Sequence, residues 1–386
     1  IELKEYYCPN TTCKVDPITI AYLTATDEEH KNIVHFIWSV YDTPSIIVAY
    51  TSKNNFNTDS HLNINWEKLI SKKPKGALKW STKYDYISAF EIAELEELND
   101  PKDEVIFKSS DFGKVTPHDI RQSFWDLQAC MKNEPTCTFQ GSFLGGNITF
   151  MLNASSEDGR GTKAPKQLYS SNGTRFSITL HGLKFNSSNT RISLKLLSHT
   201  VEYQGQTATI MEDRSIDDEY SPGVFRTFVI NNILNSSLSS FVSWKPVSYV
   251  SDKRSLKNQV PSYQYKYYKK ADDYELFQET KSTPLQYSKD SISKVIQAAM
   301  DVDKTYPLMV SFGQKKDGWY EGTHHLIWSG QVGFGKAQLD SISKTLWVTI
   351  FVGLGLPFAF ILAGSLYVCF KKYRERMTSS TYGQIN

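Results

Sequence analysis

The densest set of groups able to do acid–base or metal chemistry is Asp217-Asp218-Glu219, inside Ser215–Phe225 (SIDDEYSPGVF). Clustered carboxylates can bind a cation or work as an acid/base pair. The same run also suits a solvated turn or a helix start, and that is the preferred reading. Eight histidines are scattered along the chain. His324 and His325 are adjacent, so on a strand they project to opposite faces and do not jointly ligate one metal. No G-x-S-x-G, H-E-x-x-H, Walker loop or G-x-G-x-x-G is present, which removes the usual signatures of nucleophilic, zinc and nucleotide chemistry. The expectation is a non-enzymatic chain with no catalytic residue, no metal and no cofactor. Carboxylates paired across a long sequence distance would escape this reading, which keeps a membrane-tethered hydrolase as a third alternative.

Cysteines and asparagines say more. Cys8, Cys13, Cys130 and Cys137 precede a long apolar run, and Cys369 lies at its end. Four cysteines allow three connectivities. The close pairs Cys8–Cys13 and Cys130–Cys137 are preferred because each closes a short loop. Their spacings do not match the usual zinc patterns. Cys369 is either a palmitoylation site or a small apolar residue of the run. Six N-x-[ST] sequons occur, at Asn10, Asn147, Asn153, Asn172, Asn186 and Asn235, all before the run. Each glycan needs solvent, so these residues are expected on loops or open strand faces.

These residues are organised by the run itself, Leu346–Phe370, whose 25 residues include no charge. As a helix it is about 37 Å long, enough to cross a hydrocarbon core of about 30 Å with some tilt. Lys371, Lys372, Arg374 and Arg376 follow at once, and positive charge marks the cytoplasmic side. The 345 residues before the run are therefore expected to be luminal, as in a type I protein. The chain opens at Ile1 without Met, and a translocated region of this size implies a signal peptide already removed. The tail carries four Lys/Arg and one Glu out of a net charge of +2, so the outer region is nearly neutral and offers nucleic acid no attraction. Within the span Gly355, Ala359 and Ala363 recur every four residues. That places them on one helix face, either as a packing seam for a membrane partner or as ordinary small residues facing lipid. Tyr382-Gly-Gln-Ile385 fits Y-x-x-Φ, a signal for endocytic and lysosomal sorting read by a clathrin adaptor, with Tyr382 and Ile385 filling two pockets from an unstructured tail.

The outer region reads as strands. Ile18–Thr26, Asn32–Tyr41 and Ser45–Thr51 are β-branched and aromatic between polar or Pro-containing turns. Strands continue through Leu78–Phe90, Val105–Lys108, Ser123–Leu127, Thr136–Phe143, Asn147–Leu152, Arg175–Phe185, Arg191–His199, Tyr306–Phe312 and His324–Phe334. Glu91–Asn99 (EIAELEELN) is the best helix candidate of the first half, or else extends the strand before it. Pro246 marks an edge or bulged strand, and Lys253–Lys294 reads as a long exposed loop. Glu157–Gln167 (EDGRGTKAPKQ) is the clearest break. The expected fold is an all-β ectodomain of two β-sandwich-like domains plus one C-terminal transmembrane helix: 1–156, 168–345, 346–370 and a cytoplasmic tail at 371–386. His35-Phe36-Ile37-Trp38-Ser39 is echoed by His325-Leu326-Ile327-Trp328-Ser329. This is either a trace of two related domains or coincidence between two buried strands.

Ser215–Phe225, Ser243–Tyr249 (SWKPVSY), Leu62–Ser71 with Asn65-Trp66, the late Trp319, Tyr320, His324, Trp328 and Ser329, and the terminal YGQIN together resemble the glycosylated lysosomal membrane protein family. The resemblance implies a lysosomal membrane protein that acts as accessory subunit of a lysosomal major-facilitator transporter exporting dipeptides. Its glycosylated ectodomain would shield the transporter from luminal proteases. An endocytic receptor-like glycoprotein binding a luminal ligand is the alternative.

Overall fold

The structure, a computed structural model, describes residues 1–14, 18–27, 32–55, 61–99, 115–185, 190–201, 207–214, 220–235, 237–268, 273–276, 280–281, 291–313, 322–341 and 344–382. The strands are β1 (Glu2–Tyr7), β2 (Thr19–Thr26), β3 (Ile33–Ser39), β4 (Ser45–Thr51), β5 (Leu62–Ile64), β6 (Leu78–Trp80), β7 (Tyr86–Asn99) and β8 (Val115–Asp119). They continue as β9 (Phe124–Met131), β10 (Thr136–Phe143), β11 (Gly146–Ala154), β12 (Gly159–Arg160), β13 (Leu168–Tyr169), β14 (Gly173–His181), β15 (Thr190–Thr200) and β16 (Thr207–Arg214). Last come β17 (Arg226–Ile233), β18 (Ser239–Trp244), β19 (Val247–Tyr249), β20 (Gln259–Tyr268), β21 (Asp273–Leu276), β22 (Thr280–Lys281), β23 (Lys304–Phe312) and β24 (His325–Phe334). Helices α1 (Trp66–Ile70) and α2 (Lys294–Ala299) interrupt them.

Pairing sorts the strands into two antiparallel layers. The first runs β1-β2-β3-β4-β7-β15-β23-β20-β21, with β8 beside the far half of β7. The second runs β9-β10-β11-β14-β24-β18-β17-β16-β22. β19 pairs with both β20 and β24 and joins the ladders into one 20-stranded network. The main core lies between the layers. Phe36, Trp38, Phe90, Leu194 and Val310 from the first meet Phe150, Phe176, Trp244, Leu326 and Trp328 from the second.

A second core covers the other face of the first layer. There Ile20, Tyr22, Ile37 and Ile47 pack against Leu69 of α1 and Val295 and Ile296 of α2. A layer buried on both faces needs apolar residues at nearly every position, which is why β2, β3 and β4 do not alternate. Asn65 caps α1 by accepting from the Lys68 N–H at 3.0 Å, so one of the residues carrying the family resemblance sets where this cover begins.

Four expectations are settled or changed. Of the two readings of Glu91–Asn99, helix or extension of the strand before it, the structure has the strand. Phe90, Ile92 and Leu95 all face the main core, and their last gap of three residues imitates helical spacing. The register between β7 and β15 shifts here, with Leu196 opposite Ile92 and Lys195 opposite Glu94. Ala93 is thus the extra residue of a β-bulge, which returns Leu95 to the inward face. The expected division at 157–167 is also not a break in the fold. β11 before it pairs with β14 after it, β7 pairs with β15, and residues 1–214 and 218–339 form one compact unit. There is one sandwich, with both halves of the chain in both layers. Finally, the segment after Lys253 contains β20, whose Gln264 and Tyr265 are buried. Pro246 ends a central strand instead of marking an edge: β18 is paired on both sides before the break at 245–246. Val105–Lys108 lies outside the described residues.

The two His-x-Ile-Trp-Ser strands are β3 and β24, one in each layer. In each, Trp38 or Trp328 enters the shared core while His35 or His325 points away from it. Strand alternation alone produces this equivalence.

Residues 340–386 belong to a second unit. It contains α3 (Lys344–Ile350), a π-helical turn (Phe351–Gly355) and α4 (Leu356–Tyr382). The wide turn lies just ahead of Pro357, whose ring and missing N–H interrupt the regular ladder. The tail expected to be unstructured is helical through Tyr382.

Candidate functional site

The outer face of the second layer gathers most of the polar groups singled out by sequence and several that were not. β11 turns Ile148, Phe150 and Leu152 into the core. Asn147 and Asn153, six residues apart, therefore share the opposite face and are half-buried. On β14 the alternation of Phe176, Ile178 and Leu180 inward places Arg175, Ser177 and His181 on that same outer face. On β24, Gln331, Ser329 and His325 lie opposite them. The segment 155–172, with its hairpin β12–β13, covers part of this face.

Between cover and sheet lies a cavity of about 350 Å³ lined by Asn153, Leu168, Arg175, Ser177, Arg254 and Gln331 among others. Arg175 reaches Asn153 Oδ1 through Nη2, and its guanidinium lies over the Tyr169 ring at 4.1 Å. Arg254 donates from Nη1 to the Ala164 carbonyl at 3.0 Å and from Nη2 to Ser177 Oγ at 3.1 Å. Burial lowers both guanidinium pKa values from the ordinary arginine value, yet arginine stays charged in proteins. Burial also pushes the neighbouring Tyr249 phenol up to about 12, so it remains a neutral donor.

Beside the cavity, His181 Nδ1 and His325 Nδ1 are 3.2 Å apart. His325 Nε2 lies 3.5 Å from the carboxylate of Asp252. Burial holds His325 below the usual imidazole range, with Asp252 opposing and His181 and Arg254 reinforcing. His324 is exposed while His325 is buried. Among the described residues no group of three His, Cys, Asp or Glu forms a metal-ion site. The acidic run Asp217-Asp218-Glu219 lies outside the described residues.

One carboxylate–imidazole pair has the look of an acid/base dyad. His199 Nε2 is 2.9 Å from Glu91 Oε1, and both side chains are fully buried. Thr43 Oγ1 and the Ser293 N–H occupy Glu91 Oε2 at 2.7 and 3.0 Å, and Thr305 Oγ1 meets His199 Nδ1 at 2.9 Å. These protein partners enclose the pair, and neither side chain is open to solvent. The pair is internal bracing between β7, β15, β23 and the start of α2.

The remaining residues fall as follows. Cys8–Cys13 and Cys130–Cys137 are disulfide-bonded, the second bridging directly opposed positions of β9 and β10. Asn10 is exposed within the first loop, and Asn172 is exposed in the turn before β14. Asn235 is exposed between β17 and β18, its Oδ1 accepting from the N–H groups of Ser237 and Leu238 at 2.9 Å each. Asn186 and Ile385 lie outside the described residues. Tyr382 is the last helical residue. Ala359 and Ala363 are exposed on α4, and Gly355 closes the π turn with open space where a Cβ would stand. Cys369 is a free, exposed cysteine.

Among the described residues, a two-layer β sandwich with two disulfides is followed by one helix, Lys344–Met377, long and apolar enough to cross a membrane, the make-up of a membrane-anchored protein with a β-rich extramembrane region. The sequence profile of the glycosylated lysosomal membrane protein family matches residues 19–375, and the chain belongs to that family. Glycosylated lysosomal membrane protein B of Xenopus laevis is 26% identical over 360 residues, 87% of this chain and 83% of the relative. The Bos taurus protein of the same name is 25% identical over 379 residues, 92% of this chain and 85% of its own. The Homo sapiens protein is 24% identical over 366 residues, covering 89% and 83%. The family is one of lysosomal membrane glycoproteins, and its name is not that of an enzyme family. Arg175, Arg254 and His181 had no place among the sequence candidates. Alternation of Arg175, Ser177 and His181 with Phe176 and Leu180 was a readable signal for an outward polar row, whereas Arg254 joins it only through the fold.

Proposed function

We propose that this chain is a type I lysosomal membrane glycoprotein serving as accessory and stabilising subunit of a multi-span lysosomal transporter of the major-facilitator class. Its glycan-bearing sandwich lies in the lumen and covers transporter loops that proteases would otherwise cut. The observation that carries this reading is the terminal helix: it is apolar and exposed along the span, with no buried side chain. Small residues Ala359 and Ala363 offer a face on which a second helix can approach closely. Basic residues after the span support a cytoplasmic tail, and Tyr382 with Ile385 supports delivery by a clathrin adaptor. The sequons support a lumen-facing coat.

Crosslinking in native lysosomal membranes, followed by purification through the full chain, tests the assembly. A stoichiometric multi-span partner is expected, and Ala359→Phe is expected to cut its recovery several-fold while Ile361→Phe, on the opposite helix face, leaves it unchanged. Recovery of the chain alone, or equal recovery with both variants, removes the helix-seam reading.

A further inference from the structure

We propose that the cavity on the outer face of the second layer binds a small organic carboxylate, with Arg175 and Arg254 as the groups that recognise its anionic end. Nothing in this site depends on whether the chain assembles with a transporter.

Arg175 and Arg254 both line the cavity, and both are withdrawn from water, burial being the leading influence on each. The partners placed on them are neutral: an amide oxygen for Arg175, a backbone carbonyl and a hydroxyl for Arg254, and an aromatic ring beneath Arg175. Arg175 Nε is buried and has no hydrogen-bond partner. Neutral acceptors solvate a guanidinium without cancelling its charge, and a desolvated cation with no counter-ion is unfavourable. The carboxylates that influence them are Glu134 and Asp252. Both are exposed, and Asp252 is directed to His325. A bound anion supplies the missing charge.

The shape of the cavity narrows the choice. Its volume of about 350 Å³ is at the small end of ligand sites, which span about 300–1,000 Å³. Met151, Leu168 and Pro165 give it apolar wall, and Gln167 and Gln331 give it neutral polar wall. A bare inorganic ion would leave the apolar wall uncovered. Two planar forks beside apolar surface suit a carboxylate carrying an organic body. Glu134 at the rim disfavours a second negative charge. Asn153 also lines the cavity, so a sugar on its amide would compete for the same space.

The test uses the full-length chain in detergent with Ser155→Ala, which keeps the Asn153 side chain and removes its sequon. Phenylacetate serves as the probe, with its neutral isostere phenylacetamide and inorganic sulfate as contrasts, followed by calorimetric titration and thermal shift. Phenylacetate is expected to bind and raise Tm, phenylacetamide and sulfate at least about tenfold more weakly. Arg175→Gln is expected to weaken phenylacetate about tenfold. Arg254→Gln also removes a support of the covering segment, so Arg254→Lys is measured beside it; a loss in both with Tm retained in the lysine variant supports recognition by the guanidinium. No binding of phenylacetate overturns the proposal, as does equal binding of phenylacetamide, which would make the cavity merely apolar. Sulfate binding as tightly as phenylacetate overturns the organic-carboxylate assignment.

Discussion

His35 sits between the Tyr22 hydroxyl at 2.8 Å and Thr51 Oγ1 at 2.9 Å, on the face of β3 turned away from the main core. Burial lowers its pKa from 6.5 to about 4. The unfolded chain therefore takes up a proton at higher pH than the folded chain does, and stability falls as pH drops from 6.5 toward 4. The expected loss is about 2 kcal/mol near pH 5 and about 3 kcal/mol by pH 4. His35→Gln, which keeps a donor and an acceptor, should flatten this part of a Tm-against-pH profile; an unchanged slope would assign the acid sensitivity to other groups. For a member of a lysosomal family this is a standing cost at the place of work, and the double-sided packing of the first layer has to offset it. Glu91 makes the opposite kind of contribution. Glu91→Ala strands His199, Thr43 and the Ser293 N–H and should destabilise by about 3 kcal/mol or more. Glu91→Gln should cost less, as read by denaturant unfolding.

At the scale of elements, β7 is the member on which the first layer depends. It pairs with β4, β8 and β15, and its bulge at Ala93 sets which side chains reach the core. Deleting Ala93 removes the extra residue, so Ile92, Glu94 and Leu95 alternate plainly with their partners unchanged, and the chain is expected to fold. Inserting one alanine between Glu94 and Leu95 instead turns Leu95 outward and brings Glu96 to the core face. Such a chain is expected to lose its folded state, seen as protease sensitivity and retention before the lysosome. Normal protease resistance after the insertion would show that the far half tolerates either register. β7 also explains why its sequence looked helical: E-x-x-E and I-x-x-L spacings arise here from a bulge and from carboxylates that each find a separate partner, Lys195 for Glu94, Ser193 for Glu96 and His118 for Glu97.

At the scale of the whole molecule, the tail is the candidate address. Tyr382→Ala should redistribute the full chain toward the plasma membrane, measured by surface biotinylation, and an unchanged lysosomal fraction would remove the tyrosine signal from the account. Because α4 continues to Tyr382, an adaptor that takes the tail as an extended strand must unwind its last turn, and the end of a helix is where that is easiest.

What the sequence by itself determined was local. A charge-free run, the basic residues after it, the sequons and β-branched stretches are each properties of a few consecutive residues, and the all-β class with one C-terminal helix followed from them. The outward row Arg175, Ser177, His181 was legible in the same way. The tertiary structure decided what depends on partners far along the chain. β7 meets β15 about a hundred residues later. That pairing makes one sandwich where composition suggested two, turns EIAELEELN into strand, and makes the Glu157–Gln167 segment a cover instead of a boundary. Arg254 reaches Ser177 across a separation of 77 residues, and no local pattern encodes that meeting. A strand's alternation tells which residues share a face; only the pairing order tells which faces meet.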